Sequence, residues 1–249
     1  MSGHSKWSTI KRKKEKADAA RGRVFTRLIK ELTIAARIGG GDDNANPRLR
    51  TAIQAAKTAN MPAANIERAI KKGTGELPGV SFEEAIYEGY GPGGTALYIE
   101  TLTDNRNRTV AEIRHLLSRY GGSLGESGSV AWMFTKKGVI TISASAVNED
   151  DLMMAVLDAG AEDIDSEEDI YRLTTDPTNL EAVKKALQKT GIPYESAELT
   201  MDPSSTIKVE GKNAESLLKL LDFLEEHDDV QNIYSNFDID DSIIEAMNE

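Results

Sequence analysis

The 249-residue chain contains no cysteine, which excludes disulfides, thiolate nucleophiles and Cys-ligated zinc together. Histidine is almost as scarce. His4, His115 and His227 are scattered along the chain, without the spacing of a metal site. His115 falls on a helix beside its apolar face and reads as a partly buried structural residue. No apolar run approaches the ~20 residues that cross a bilayer, and no apolar h-region opens the sequence. The expectation is a cytoplasmic protein with no membrane segment. Carboxylates are too numerous for any pair to be nominated as acid and base. Clusters such as Glu225-Glu226, Asp228-Asp229 and Asp238-Ile-Asp-Asp241 lack the glycine and spacing of a calcium loop and read as solvated surface. The glycine-rich Gly89-Tyr-Gly-Pro-Gly-Gly94 lacks the Lys-Ser/Thr ending of a P-loop, with no helix opening directly after it, so a hairpin turn accounts for it. An enzyme, a cofactor and a metal are therefore not expected.

What the chain does have is a division of charge. Residues 1–72 hold 17 Lys and Arg against 6 Asp and Glu, a net of +11. Residues 73–249 hold 13 against 35, a net of −22, so the overall −11 hides a cationic module joined to an anionic one. Ten basic side chains lie between Lys6 and Lys30, opposed only by Glu15 and Asp18. Like charges held close together repel, so such a cluster is matched to a polyanion, with nucleic acid the leading candidate. The plainer account is a lysine-rich surface that keeps the protein soluble.

Helical periodicity runs through the cationic part. Val24, Phe25, Leu28, Ile29, Leu32 and Ala36 form one stripe, stopped by Gly39-Gly40-Gly41. Asn46-Pro47 reads as an N-cap followed by proline at the first helical position, opening a second stripe of Leu49, Ala52, Ile53, Ala56 and Ala59. Asn60-Met61-Pro62 breaks it, and a third helix through Ile66, Ala69 and Ile70 stops at Gly73. A linker follows, and the pattern changes to strands alternating with helices. Residues 85–90 and 95–103 read as a hairpin, 110–120 as a helix and 130–134 as the next strand. Then strand 139–143, helix 149–157, strands 162–164 and 169–174, helix 180–189 and strand 194–199 make a β-α-β-β-α-β unit, the ferredoxin-like order. The tail, strand 206–209, helix 214–224 and strand 230–236, is half such a unit, and its missing half lies earlier. The expected fold is α+β and multidomain: a basic helical domain over 1–78, an acidic α/β domain built from 80–135 plus 204–240, and a ferredoxin-like α/β domain, 136–203, inserted into it.

Within the cationic module the candidate nucleic-acid contacts form two groups. The N-terminal arm brings His4, Lys6 and Trp7, a cation and an indole able to enter a groove or stack on a base, although Trp7 could equally anchor the arm. The run Lys11, Arg12, Lys13 and Lys14 spans a full helical turn, so at least two of its cations share a partner. Lys16, Arg21, Arg23 and Arg27 continue it. The second group is Arg48, Arg50 and Lys57, with Arg68, Lys71 and Lys72 nearby. Arg50 and Lys57 share a face away from Leu49 and Ile53, extending the cationic surface or simply meeting solvent. Such contacts set position and affinity without base specificity. Arg106 and Arg108, between a strand and a helix start, are secondary candidates that contact RNA or protein, or bridge domains through nearby carboxylates.

Longer motifs carry a resemblance. Ser2-Gly-His-Ser-Lys-Trp7, Asn46-Pro-Arg-Leu-Arg50, Asn60-Met-Pro62, Ile66-Glu-Arg-Ala-Ile70, Tyr87-Glu-Gly-Tyr-Gly-Pro-Gly-Gly94, Thr103-Asp-Asn-Arg-Asn-Arg-Thr109 and Gly128-Ser-Val-Ala-Trp-Met-Phe134 are similar to the YebC family, essentially end to end. The chain departs at Ser123, where many relatives have Asn, and at Arg12, where many have His; the second keeps or adds charge. The resemblance implies a three-domain cytoplasmic protein acting as a DNA-binding transcriptional regulator. It also implies an alternative, because mitochondrial members act as translational activators and bacterial ones are linked to relief of stalled ribosomes: a ribosome-associated factor contacting rRNA through the same basic arm, with the acidic domains meeting ribosomal or other protein partners.

Overall fold

A computed structural model describes residues 17–167, 169–240 and 243. They divide into two compact units, one holding the described residues up to Ala131 together with those from Ser205 onward, the other Trp132–Ser204.

The first unit opens with three helices, α1 (Ala17–Gly39), α2 (Pro47–Thr58) and α3 (Ala63–Gly73). Their apolar stripes meet in one core of Leu32, Ala35, Ala36, Leu49, Ala52, Ala56, Met61, Ile66 and Ala69. Burying each large side chain there contributes about 1.5–3 kcal/mol. One residue sets the α1–α2 corner. The buried Asn46 side chain accepts from Leu49 N at 3.0 Å, capping α2, and donates to Ala35 O at 2.8 Å and Gly40 O at 2.9 Å, satisfying carbonyls at the end of α1. Gly73 lets α3 close on α1, since a Cβ there would lie 2.3 Å from Thr33 O.

An antiparallel hairpin follows, β1 (Glu83–Tyr90) and β2 (Ala96–Thr103), turned by Pro92–Gly94. Gly93 and Gly94 have φ of 76° and 78°, a left-handed conformation that side chains other than glycine's rarely tolerate. Helix α4 (Arg106–Arg119) leads to the short edge strand β3 (Ser123–Leu124) on β1. The second unit then intervenes: β4 (Phe134–Ser143), α5 (Glu149–Val156), β5 (Ala161–Glu167), β6 (Ile170–Thr175), α6 (Leu180–Thr190) and β7 (Ser196–Pro203). Its antiparallel sheet has the order β5-β6-β4-β7, the ferredoxin-like arrangement. Ile140, Ile142 and Leu173 pack beneath Leu152, Val156, Val183 and Leu187 of its two helices.

The chain returns through β8 (Ile207–Lys208), α7 (Gly211–Glu226), β9 (Val230–Ser235) and β10 (Phe237–Asp238). Strand β9 joins β2, completing a sheet of order β3-β1-β2-β9. This is the same spatial order as in the second unit, with β1 filling the slot of the third strand ahead of its place in the chain. Helices α4 and α7 contribute Ile113, Leu117, Leu217, Leu220, Leu221 and Leu224 to its core with Leu97, Ile99 and Ile233.

Two expectations change. Residues 130–134 are not a strand of the first sheet: Ala131–Met133 is a 3-10 turn, and Phe134 opens β4 of the second unit. The buried carboxylate of Glu88 is the reason. It accepts from Gly128 N at 2.7 Å, Val130 N at 2.8 Å and Ala131 N at 2.7 Å, taking the donors a strand ladder would have used. Ser123–Leu124 occupies the edge instead. Residues 207–208 likewise stay out of the main sheet and pair in parallel with 237–238.

Candidate nucleic-acid interface

Helix α1 presents a row of cations, Arg23, Arg27 and Lys30, and the structure places all of them against the C-terminal end of α7 and the turn after it. Arg23 lies 3.9 Å from the Glu226 carboxylate, and Arg27 donates to the Glu225 carbonyl. Carbonyls at a helix C-terminus carry the negative end of its dipole, so cations are stabilised there. Lys30 goes deeper. Only 8 % exposed, its Nζ donates to Asp229 Oδ1 at 2.6 Å and to Asp228 O at 2.8 Å, and lies 5.6 Å from the centre of the Phe82 ring.

Asp229 is the hub of this junction. Its Oδ2 accepts from Arg108 at 2.8 Å, Thr109 Oγ1 at 2.7 Å and Thr103 Oγ1 at 3.2 Å. Burial alone would raise its pKa, but Lys30, Arg108 and Thr109 outweigh that and hold the carboxyl well below the usual range. The sequence reading of Asp228-Asp229 as solvated surface is corrected for Asp229, whose side chain is 3 % exposed, while Asp228 is exposed as expected. His115, expected to be partly buried, is exposed. His227 instead is held, with Nε2 at 2.8 Å from Glu112 Oε2 and Nδ1 accepting from Asp229 N at 3.1 Å.

Lys30, Arg108, Glu112, His227 and Asp229 line a cleft of about 550 Å³ that also includes Thr26, Phe82 and Asp104. Glu112, His227 and Asp229 lie near enough together to suggest a metal centre, and the scattered sequence positions could not have revealed the trio. The donor set does not fit one. Both Asp229 oxygens already accept from cations, and Lys30 and Arg108 would oppose a further positive charge.

The remaining candidates separate cleanly. His4, Lys6, Trp7, Lys11, Arg12, Lys13, Lys14, Lys16 and the Arg21 side chain lie outside the described residues. Arg48 grips Glu31 with two bonds of 2.6 and 2.9 Å and reaches Glu84 at 2.7 Å, tying α1 and α2 to the start of β1. The Glu31 hydrogen bond, against the cost of burial, raises its pKa further above the ordinary arginine value. Arg50 donates to Asp43 O at 3.0 Å and Asn44 O at 2.9 Å, closing the α1–α2 loop. Arg106 faces Glu83 at 3.9 Å, and Arg108 pairs at 2.8 Å with both Asp104 and Asp229, so the carboxylates that both meet belong to their own α/β domain, and these pairs do not bridge domains. Lys57, Arg68 and Lys72 are exposed, and among the described residues none of them forms an ion pair. Lys71 pairs with Glu67 at 2.6 Å.

Two family models match. One, described as the TACO1/YebC protein N-terminal domain, covers residues 5–76, and the other, the TACO1/YebC second and third domain, covers 82–237. The chain belongs to the TACO1/YebC family. Full-length relatives agree. A probable transcriptional regulatory protein of Geobacter sulfurreducens is 58% identical over 99% of this chain and 100% of its own. One of Chlorobaculum tepidum is 58% identical over the whole of both chains. A crystal structure of a conserved hypothetical protein from Aquifex aeolicus is 49% identical, with a TM-score of 0.80 over 90% of this chain and 93% of that one. Among the described residues of this family member, no helix is long and apolar enough to cross a membrane.

Proposed function

We propose that this protein is a nucleic-acid-binding regulator, a DNA-binding transcriptional regulator of the cytoplasm in which the basic helical head supplies the phosphate contacts. The observation that carries the reading is the charge division, +11 over residues 1–72 against −22 over the rest. The names of the relatives agree with it. The ion pairs refine it. Arg48 and Arg108 are engaged by close carboxylates, so they are assigned to structure, whereas the exposed 3.9 Å pair of Arg106 with Glu83 holds it only weakly. The contact set becomes the cations of the Lys6–Arg21 stretch together with Arg23, Lys57, Arg68 and Lys72. The anionic remainder repels a polyanion, so nucleic acid approaches from the head only. Among the described residues no acid–base or nucleophile constellation supports catalysis, and the reading is of a binding protein.

The test is fluorescence anisotropy with a labelled DNA duplex across a salt titration. Binding through about 5–6 phosphates gives log K against log salt a slope near −5, at roughly −0.9 per phosphate. Lys11→Glu combined with Lys13→Glu weakens binding and flattens the slope by about 2 while the circular dichroism spectrum is unchanged. A salt-independent affinity refutes the reading, and collapse of the spectrum would make these residues structural. The same titration on structured RNA, with sedimentation against ribosomes, decides the target: tighter, ribosome-dependent binding there overturns the DNA assignment in favour of a translation factor.

A further inference from the structure

The outer side of helix α5 in the second unit carries more exposed apolar surface than the other helix of that unit. Helix α5 fills its core side with Leu152 and Val156, both fully buried. Yet Met153, Met154 and Leu157 stand on its outer side with 46, 72 and 63 % of their surface in solvent. Single exposed apolar residues are ordinary, whereas three on adjoining turns form a patch that folding alone does not explain. Two are methionines, whose unbranched, polarisable side chains adapt to a partner's surface.

The charge around the patch has one sign. Between Lys137 and Arg172 the chain has ten Asp and Glu and no Lys or Arg. Asp150, Asp151 and Asp158, all exposed, lie three or four residues from Met154, which makes them its neighbours on the helix surface. The first two have a structural use, because with Glu149 they sit in the first turn of α5, above the Asn148 cap, where the helix dipole favours anions. Asp158 does not. It follows the helix C-terminal end, in the turn Leu157–Ala159, where a carboxylate is unfavourable.

We infer that Met153, Met154 and Leu157 form a docking surface for a cationic amphipathic segment of another protein, whose apolar side chains cover the patch while its Lys or Arg meet Asp150, Asp151 and Asp158. An anionic rim turns away nucleic acid and acidic lipid alike, which leaves a basic protein segment as the matching chemistry. The inference lies wholly within the second unit and stands whether or not the head binds DNA.

The test uses the full chain with methyl-labelled methionine and a synthetic helical peptide of Leu and Lys at helical spacing. Two control peptides replace Leu by Ser or Lys by Glu. The Met153 and Met154 methyl resonances shift with the Leu/Lys peptide and with neither control. Met154→Ser with Leu157→Ser, both exposed and outside the core, lowers affinity about tenfold or more without changing Tm or duplex binding. Asp158→Lys weakens binding in low salt. Unshifted methyl resonances, equal binding of the Ser-substituted peptide, or self-association of the chain through this face in sedimentation would each overturn the proposal.

Discussion

Removing the Asp229 carboxylate is the sharpest perturbation the structure offers. In Asp229→Ala, Lys30 keeps only the Asp228 carbonyl at 2.8 Å and the more distant Leu102 carbonyl at 3.4 Å, with its charge still buried. The hydroxyls of Thr103 and Thr109 keep each other at 2.7 Å, and Arg108 keeps Asp104. The dominant cost is therefore the unpaired ammonium. Breaking a buried pair from one side costs about 3–5 kcal/mol, which for a unit of this size lowers Tm by about 6–20 °C. Lys30→Met costs less, about 1–3 kcal/mol, because Asp229 retains Arg108 and two hydroxyls. The double variant is then less destabilised than the two single losses added together. The pH dependence follows from the depressed pKa. The contribution of Asp229 is fully present above its unfolded value of 3.8 and is lost as pH falls below that toward the lower folded value. Urea melts of the four proteins at neutral pH, repeated in acid, measure both effects. A loss below about 1 kcal/mol for Asp229→Ala would refute the assignment of the junction as a buried charge network.

Glu88 and Arg48 carry the other expectations. Glu88→Gln keeps one acceptor and turns an amide toward N–H donors, so it costs about 2–3 kcal/mol, and amide exchange at Gly128, Val130 and Ala131 quickens. Burial opposes ionisation of Glu88, but its three backbone donors win and lower its pKa. Its contribution therefore persists above pH 4.5 and fades below it; slow exchange at those amides in the variant would contradict the role. Arg48→Ala and Lys57→Ala separate structure from binding. The first lowers Tm while leaving the salt slope of DNA binding intact, because its guanidinium already serves Glu31 and Glu84. The second leaves Tm intact and reduces the slope by about 0.9. The opposite pattern would exchange their roles.

Asn46-Pro47 marks a cap and a helix start in the sequence, and in the structure the carboxamide serves two helices at once. The inserted ferredoxin-like order was legible because its strands and helices alternate at regular lengths. Long-range contacts leave no such local mark. Val130 is apolar and neighbours a strand, so periodicity favours extended backbone there; nothing nearby reveals that Glu88, 42 residues earlier, claims its N–H. Lys30 and Asp229 belong to opposing charge populations along the sequence, yet 199 residues of chain fold back to place them 2.6 Å apart. A sum over sequence cannot distinguish a cation aimed at solvent from one already neutralised.

That distinction bears on how an acidic body and a basic head coexist in one chain. If the attraction were left diffuse, the body would compete with phosphate for every cation of the head. Concentrating it in one buried node limits the competition. The Lys30–Asp229 pair is buried, so salt and water screen it far less than a surface pair. Arg23 and Glu226 are different, with side chains 40 and 54 % exposed and 3.9 Å apart. A pair of that kind is worth about 0–1 kcal/mol, less than a guanidinium gains from a bidentate grip on a phosphate. Under the proposed function Arg23 is thus available to nucleic acid at little cost, while Lys30 is not. The junction holds the head on the body, and among the described residues Lys57, Arg68 and Lys72 are exposed without an ion pair.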